Sequence, residues 1–140
     1  PVSGSGPVGD LAGMLAQMAP QMHPQPWRFD LLDEAKPTPE LMKAFALIRE
    51  EDGVTAIMPQ EREGTAGDLA RITLMVHSAL DGVGLTAAVS GALADAGIAC
   101  NIVAGFHHDH IFVPWERREE ALQALEALSK GGVAGVGTSA

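Results

Sequence analysis

Polar residues able to do chemistry gather in two short segments of the second half. His107-His108-Asp109-His110 offers three imidazoles and a carboxylate, groups that suit zinc, iron or nickel and that exchange protons near neutrality. Consecutive residues of an extended segment point to opposite faces, so only His108 with His110, or His107 with Asp109, can share a side. A closed metal site would need further ligands, and neither CxxC nor HExxH is present to supply them. The expectation is ligand-orienting histidines, with His77 near them, and neither metal nor cofactor. Acid–base catalysis by His77 or His110 would lack a serine, cysteine or lysine partner specified by the sequence. Cys100, among apolar neighbours, reads as a packing thiol rather than a nucleophile.

The second segment, Asp81-Gly82-Val83-Gly84-Leu85-Thr86-Ala87, follows a strand pattern and opens a helix, so it matches the dinucleotide fingerprint G-x-G-x-x-A. A nucleotide fold also needs further βα units and an acidic residue about 20 positions on. Ile102 to Phe106 stands there instead, and nucleotide binding is not expected. The physical content of the loop remains: glycines let a ligand approach the backbone, and free amides at a helix start favour a carboxylate or phosphate. The alternative is a glycine turn without a ligand. Asn101, between Cys100 and Ile102, either faces solvent or hydrogen-bonds a ligand or an adjacent chain.

These residues must be positioned by the elements around them. Arg71–His77 reads as a strand, Gly84–Ala96 as a helix with Leu85, Val89 and Leu93 one turn apart and stopped by Gly97, and Ile98–Gly105 as a strand. Ile111-Phe112-Val113 is a third strand ended by Pro114, and Glu116–Leu128 a second helix with Ala121, Leu122, Leu125 and Leu128 inward. The order βαββα predicts a split βαβ sheet whose first strand lies beside the third. Its first-strand carboxyl end, helix start and hairpin should then share one edge, bringing together His77, Ser78, Gly82, Gly84 and the 107–110 segment. A fourth strand must come from the first half or from a partner chain.

The first half reads as a helix over 10–18, capped by Asp10 with Leu11, Met14, Leu15 and Met18 apolar, followed by strands at Trp27–Leu32, Ala44–Arg49 and Val54–Met58. Pro37 and Pro39 mark a loop, and Asp52-Gly53 closes a hairpin. Trp27 and Trp115 flank strand ends and read as core edge. The polar stretch Gln60–Asp68 is the expected joint, giving an amino-terminal unit over 10–67 and a carboxyl-terminal one over 68–130. Glycine-rich ends, 1–9 and 131–140, are expected to be flexible tails.

Composition bounds the function. The net charge of −9 contains no basic run, which argues against nucleic acid or an anionic membrane as partner. Acid exceeds base by five over 1–67 and by four over 68–140, so the acidity reads as a solubility device. A single cysteine excludes an internal disulfide framework. No stretch approaches the ~20 apolar residues of a membrane span, and a cytoplasmic protein is expected.

VHSALDGVGLTAAVSGALADAGIACNIVAGFHHDHIFVPWERREEALQALEAL resembles the carboxyl-terminal ACT domain of small bacterial tandem ACT-domain proteins, and LIREEDGVTAIMP with the helix at 10–18 resembles their amino-terminal half. The resemblance covers about residues 9–130 and is specific over 74–128. It implies two ferredoxin-like ACT modules packed side by side, with antiparallel sheets, helices on one face and often strand exchange between the halves. It further implies regulatory, non-catalytic binding of an amino acid or similar small molecule by the loop from first strand to first helix. On this chain that loop supplies Ser78, Asp81, Gly82, Val83, Gly84 and Leu85, facing Asn101 and Ile102 of an adjoining module, with His77, His108 and His110 nearby. A homodimer is the expected assembly. Phe106-His107 and Trp115 depart from the family pattern and bear on ligand size. The alternative from another class is a metal-dependent or histidine-based enzyme centred on His77, His108 and His110.

Overall fold

The computed structural model describes residues 9–34, 38–79 and 81–138, with side chains through Gly131. The tail expected at 1–9 therefore lies, but for Gly9, outside the described residues, as do Pro37 of the proline loop and Leu80 of the glycine loop. Helix α1 (Leu11–Ala16) starts at Asp10, whose carboxylate accepts from Gly13 N at 2.8 Å and so satisfies one orphan amide of the first turn. Four strands follow: β1 (Pro20–Met22), β2 (Trp27–Leu32), β3 (Ala46–Glu50) and β4 (Gly53–Pro59), with a 3₁₀ turn at Leu41–Lys43 before β3. The second half runs β5 (Leu69–Leu74), α2 (Leu85–Asp95), β6 (Asn101–Ala104), β7 (Asp109–Pro114), a 3₁₀ turn at Trp115–Arg117 and α3 (Arg118–Thr138).

The β3–β4 hairpin turns at Glu51-Asp52, pairing Glu50 with Gly53. Gly53 sits at φ 145°, and a Cβ there would lie 2.6 Å from Leu32 O, so only glycine lets β4 begin against β2. All pairings are antiparallel, in the order β3-β4-β2-β5-β7-β6. β2 meets β5 only at Trp27–Leu69, whereas β1 pairs with the other end of the same edge, from Pro20–Leu74 to Met22–Ile72. The strand that the βαββ half lacked thus comes from the first half of the chain. β1 is an element that sequence reasoning missed, because three residues beginning with proline carry no alternation signal.

Period-two alternation gives the sheet two dissimilar faces. Ala70, Ile72 and Leu74 of β5 with Ile111 and Val113 of β7 pack under Leu85, Val89 and Leu93 of α2, and under Ala121 and Leu125 of α3. Met14 and Leu15 of α1, and Met18 just after it, join that same core, and Ser129 Oγ of α3 donates to Leu15 O at 2.8 Å. The helix read as part of the first unit therefore packs with the helices of the second. On the opposite face Phe112 is fully buried against Phe29 and Phe45 in edge-to-face contacts, ring centroids 5.3 and 5.9 Å away, so the curled β3-β4-β2 part of the sheet covers it.

Several element bounds differ from expectation for local reasons. β5 begins at Leu69 and ends at Leu74, because Met75 N and Val76 N both turn to the single carbonyl of Met18. β6 starts at Asn101, since Ile98 N donates to Leu93 O and Gly97, at φ 71°, ends α2 in a left-handed cap. α3 runs to Thr138 as helix, through most of the segment expected as a tail.

Candidate functional site

The end of β5, the start of α2 and the β6–β7 hairpin enclose a cavity of about 100 Å³. Ser78, Ala79 and Gly82 supply the loop wall, Leu85 and Thr86 the helix start, Ala104, Gly105 and Asp109 the hairpin, and Met14 of α1 the floor. Helical geometry leaves the first-turn amides of α2 without intrahelical acceptors, and Gly84, at φ 105°, gives them no side-chain cap. This is a partial positive charge directed at a polar space. Asp109 answers it from the hairpin. Burial pushes its carboxyl up from the usual range, opposed by a Ser78 hydrogen bond and by the charge of His108.

Of the residues singled out from sequence, Ser78, Gly82 and Leu85 line this cavity. Asp81 and Val83 are exposed on the loop, and Gly84 packs against Leu11 of α1, where a Cβ would stand 3.2 Å from the Leu11 side chain. Ile102 packs on the helical core, whereas Asn101 is exposed and faces the other side of β6, the open edge strand. The histidines diverge. His77 contacts His107 through ring nitrogens, with ring centroids 4.3 Å apart, while His108 lies 6.3 Å from His77 in the hairpin, its carbonyl accepting from Gly105 N at 2.8 Å. His110 points to the face opposite the helices, under the ring of Phe45 at 4.8 Å, with Nδ1 3.0 Å from Thr73 Oγ1.

Among the described residues no three His, Cys, Asp or Glu side chains come together to hold a metal ion. His77 and His108 stay at the hairpin while His110 lies under Phe45, so the trio is not gathered at one centre. Cys100 is half-buried, and burial raises its thiol pKa, which fits packing rather than nucleophilic attack. Trp115 lies at the joint between the halves, with Arg118 stacked 3.8 Å over its ring, and is absent from the cavity wall. Met14, Ala79, Thr86, Ala104, Gly105 and Asp109 are the cavity residues that sequence reasoning missed. Asp109 was detectable only as the carboxylate in a histidine run.

A second, wider cavity of about 420 Å³ lies on the first half, between β2–β4 and the 38–41 segment. Arg28 lines it, but is already engaged by Asp30 at 2.9 Å and by Pro59 O at 3.0 Å. Among the described residues no helix is long and apolar enough to cross a membrane.

An antiparallel α+β sheet with helices on one face and a polar cavity at a helix start defines a small-molecule-binding class of domain. Comparison with known proteins narrows it: residues 7–67 match one ACT domain model and residues 70–127 match another. The chain belongs to the ACT-domain family, as two ACT-type domains in tandem. ACT domains have a ferredoxin-like α+β fold and are generally regulatory, small-molecule-binding domains rather than catalytic ones. Among solved structures the chain is similar to VC0802 of Vibrio cholerae, a protein of unknown function described as a possible transport protein. The two are 37% identical with a TM-score of 0.68, over 81% of this chain and 91% of that one. Atu0741 of Agrobacterium tumefaciens is similar in fold, at 18% identity and a TM-score of 0.59 over 76% of this chain and 85% of that one. No curated protein matches the chain.

Proposed function

We propose that this chain is a non-catalytic regulatory protein that binds an amino acid at the start of α2. The observation that carries the reading is that the uncapped first turn of α2 and the carboxylate of Asp109 line one cavity. A zwitterion complements that pair: its carboxylate takes the free amides, and its ammonium takes Asp109 and Ser78. A volume of about 100 Å³ is that of roughly three water molecules, at ~30 Å³ each. The cavity thus suits a very small amino acid, or the main-chain head of a longer one whose side chain leaves through the opening.

The same proposal has two ferredoxin-like modules packed side by side, with α1 and β1 exchanged onto the second, and a cytoplasmic homodimer as the working form. Open sheet edges support the dimer. β3 and β6 end the strand order, and Leu47 and Ile48 of β3 are 45% and 42% exposed. Asn101 on β6 would then face the second copy.

Calorimetric titration with each of the twenty amino acids, alongside sedimentation equilibrium, tests the reading. Saturable binding of a subset, weakened at least tenfold in Asp109→Asn, is the expected result. Silence across the panel from a folded protein would sink it.

A further inference from the structure

The face of the sheet opposite the helices carries a cation with no carboxylate partner among the described residues. Arg71, on β5, lies beside Phe112 of β7 in register, and its guanidinium carbon stands 3.9 Å over the ring of Phe45 and 4.9 Å from that of Trp27. Its Nε is buried and has no hydrogen-bond partner. Among the described residues no carboxylate pairs with it, although the chain as a whole carries a net charge of −9. Packed beside it is a relay in which Thr73 Oγ1 lies 3.0 Å from His23 Nε2 and 3.0 Å from His110 Nδ1.

A half-buried guanidinium set over the ring of Phe45 with Trp27 beside it is restricted in its movement, and its fork of N–H donors fits two oxygens at once. An orphaned N–H in such a place costs free energy that an acceptor would recover. Burial first, and then the Arg71 charge, lowers the pKa of both His23 and His110, so the two imidazoles add no balancing charge of either sign beside the guanidinium.

We propose that Arg71 anchors a second binding site, independent of the α2 cavity, for a small oxyanion whose carboxylate or phosphate oxygens take the guanidinium fork beside His23 and Thr73. The site lies on the opposite face of the sheet from the helices. Its ligand would lie against β5, beside the rings of Phe45 and Trp27.

The test is an NMR titration of the full chain, following the ring signals of His23 and His110 as inorganic phosphate or succinate is added. Saturable shifts with phosphate alone assign the site to phosphates, and with succinate alone to carboxylates. Either result supports the proposal if Arg71→Lys weakens binding roughly tenfold, keeping the charge and losing the fork, and Arg71→Met abolishes it. Near-UV circular dichroism of the two tryptophans, Trp27 and Trp115, reports whether each variant is folded, and Arg71→Lys serves alone if Arg71→Met is not. Absence of saturable shifts with both anions overturns the proposal, as does unchanged affinity in either Arg71 variant. Asp109→Asn should leave these shifts intact; their loss would place the anion in the α2 cavity and end the case for a second site.

Discussion

Gly64 lies flat against the indole of Trp115, so close that a Cβ at position 64 would come within 2.2 Å of the ring. The contact pins the segment joining the two halves onto the turn before α3. Arg118 stacks 3.8 Å over the indole, and Trp115 N donates to Asp68 O at 3.0 Å. Gly64→Ala is therefore expected to destabilise the fold by about 1–3 kcal/mol, since an indole stacked on Arg118 with its backbone tied to Asp68 cannot move aside cheaply. Urea unfolding followed by tryptophan fluorescence measures it, and a variant as stable as the parent would show that the linker does not rest on Trp115.

Two glycines of the α2 region should respond in opposite senses. Gly91 lies inside the helix with open space where a Cβ would go, so Gly91→Ala should stabilise by about 0.5–1 kcal/mol through helix propensity alone. Gly84, at φ 105°, occupies backbone that an L side chain rarely adopts, and Gly84→Ala should cost about 1–2 kcal/mol. Loss of ligand affinity in Gly84→Ala would accordingly say little about contact with a ligand. Thermal melts of the two variants should move apart; shifts of the same sign would contradict the backbone argument.

Long-period signals were legible in the sequence, and short or tertiary ones were not. Leu85, Val89 and Leu93 lie on the buried face that their spacing predicts, because an eleven-residue amphipathic helix repeats its pattern three times. Met14, Leu15 and Met18 were equally legible as a buried stripe. That they join the core beneath α3 is a tertiary fact their spacing does not encode. Gly131 and the glycines beyond it have poor helix propensity and read as a tail, yet α3 continues through them. Alternation pairs His108 with His110, but the rule applies only inside a strand, and β7 begins at Asp109. His108 thus stays in the turn while His110 crosses to the far face.

His110 should make stability depend on pH. Burial first, and then the charge of Arg71 with smaller effects from His108 and His23, lowers its pKa to about 4. An unfolded chain takes up the proton near 6.5, whereas the folded one resists it down to about 4, so stability present above pH 6.5 is lost as pH falls across that interval. The loss should be roughly 2 kcal/mol after allowing for partial exposure. Urea midpoints at intervals from pH 4 to pH 7 measure it, and His110→Gln should flatten the profile. Parallel profiles for parent and variant would remove His110 as the cause.

Gly82 offers a way to close the α2 cavity from within. A Cβ at this position would meet Met14 Sδ at 3.1 Å and Ala79 O at 3.2 Å, close enough to require small shifts but short of a collision. Because Gly82 lies outside the left-handed backbone region, Gly82→Ala should cost at most about 1–2 kcal/mol, much less than Met14→Ala, which empties a core position at about 2–5 kcal/mol. A methyl group takes roughly one water's share, ~30 Å³, of a cavity of about 100 Å³, so the head of an amino acid loses about a third of its space and binding should fall at least tenfold while the fold persists. Calorimetry on Gly82→Ala, with the amino acid that binds the parent, gives the answer. Undiminished affinity would mean that the ligand sits outside the space bounded by Ser78, Thr86 and Asp109.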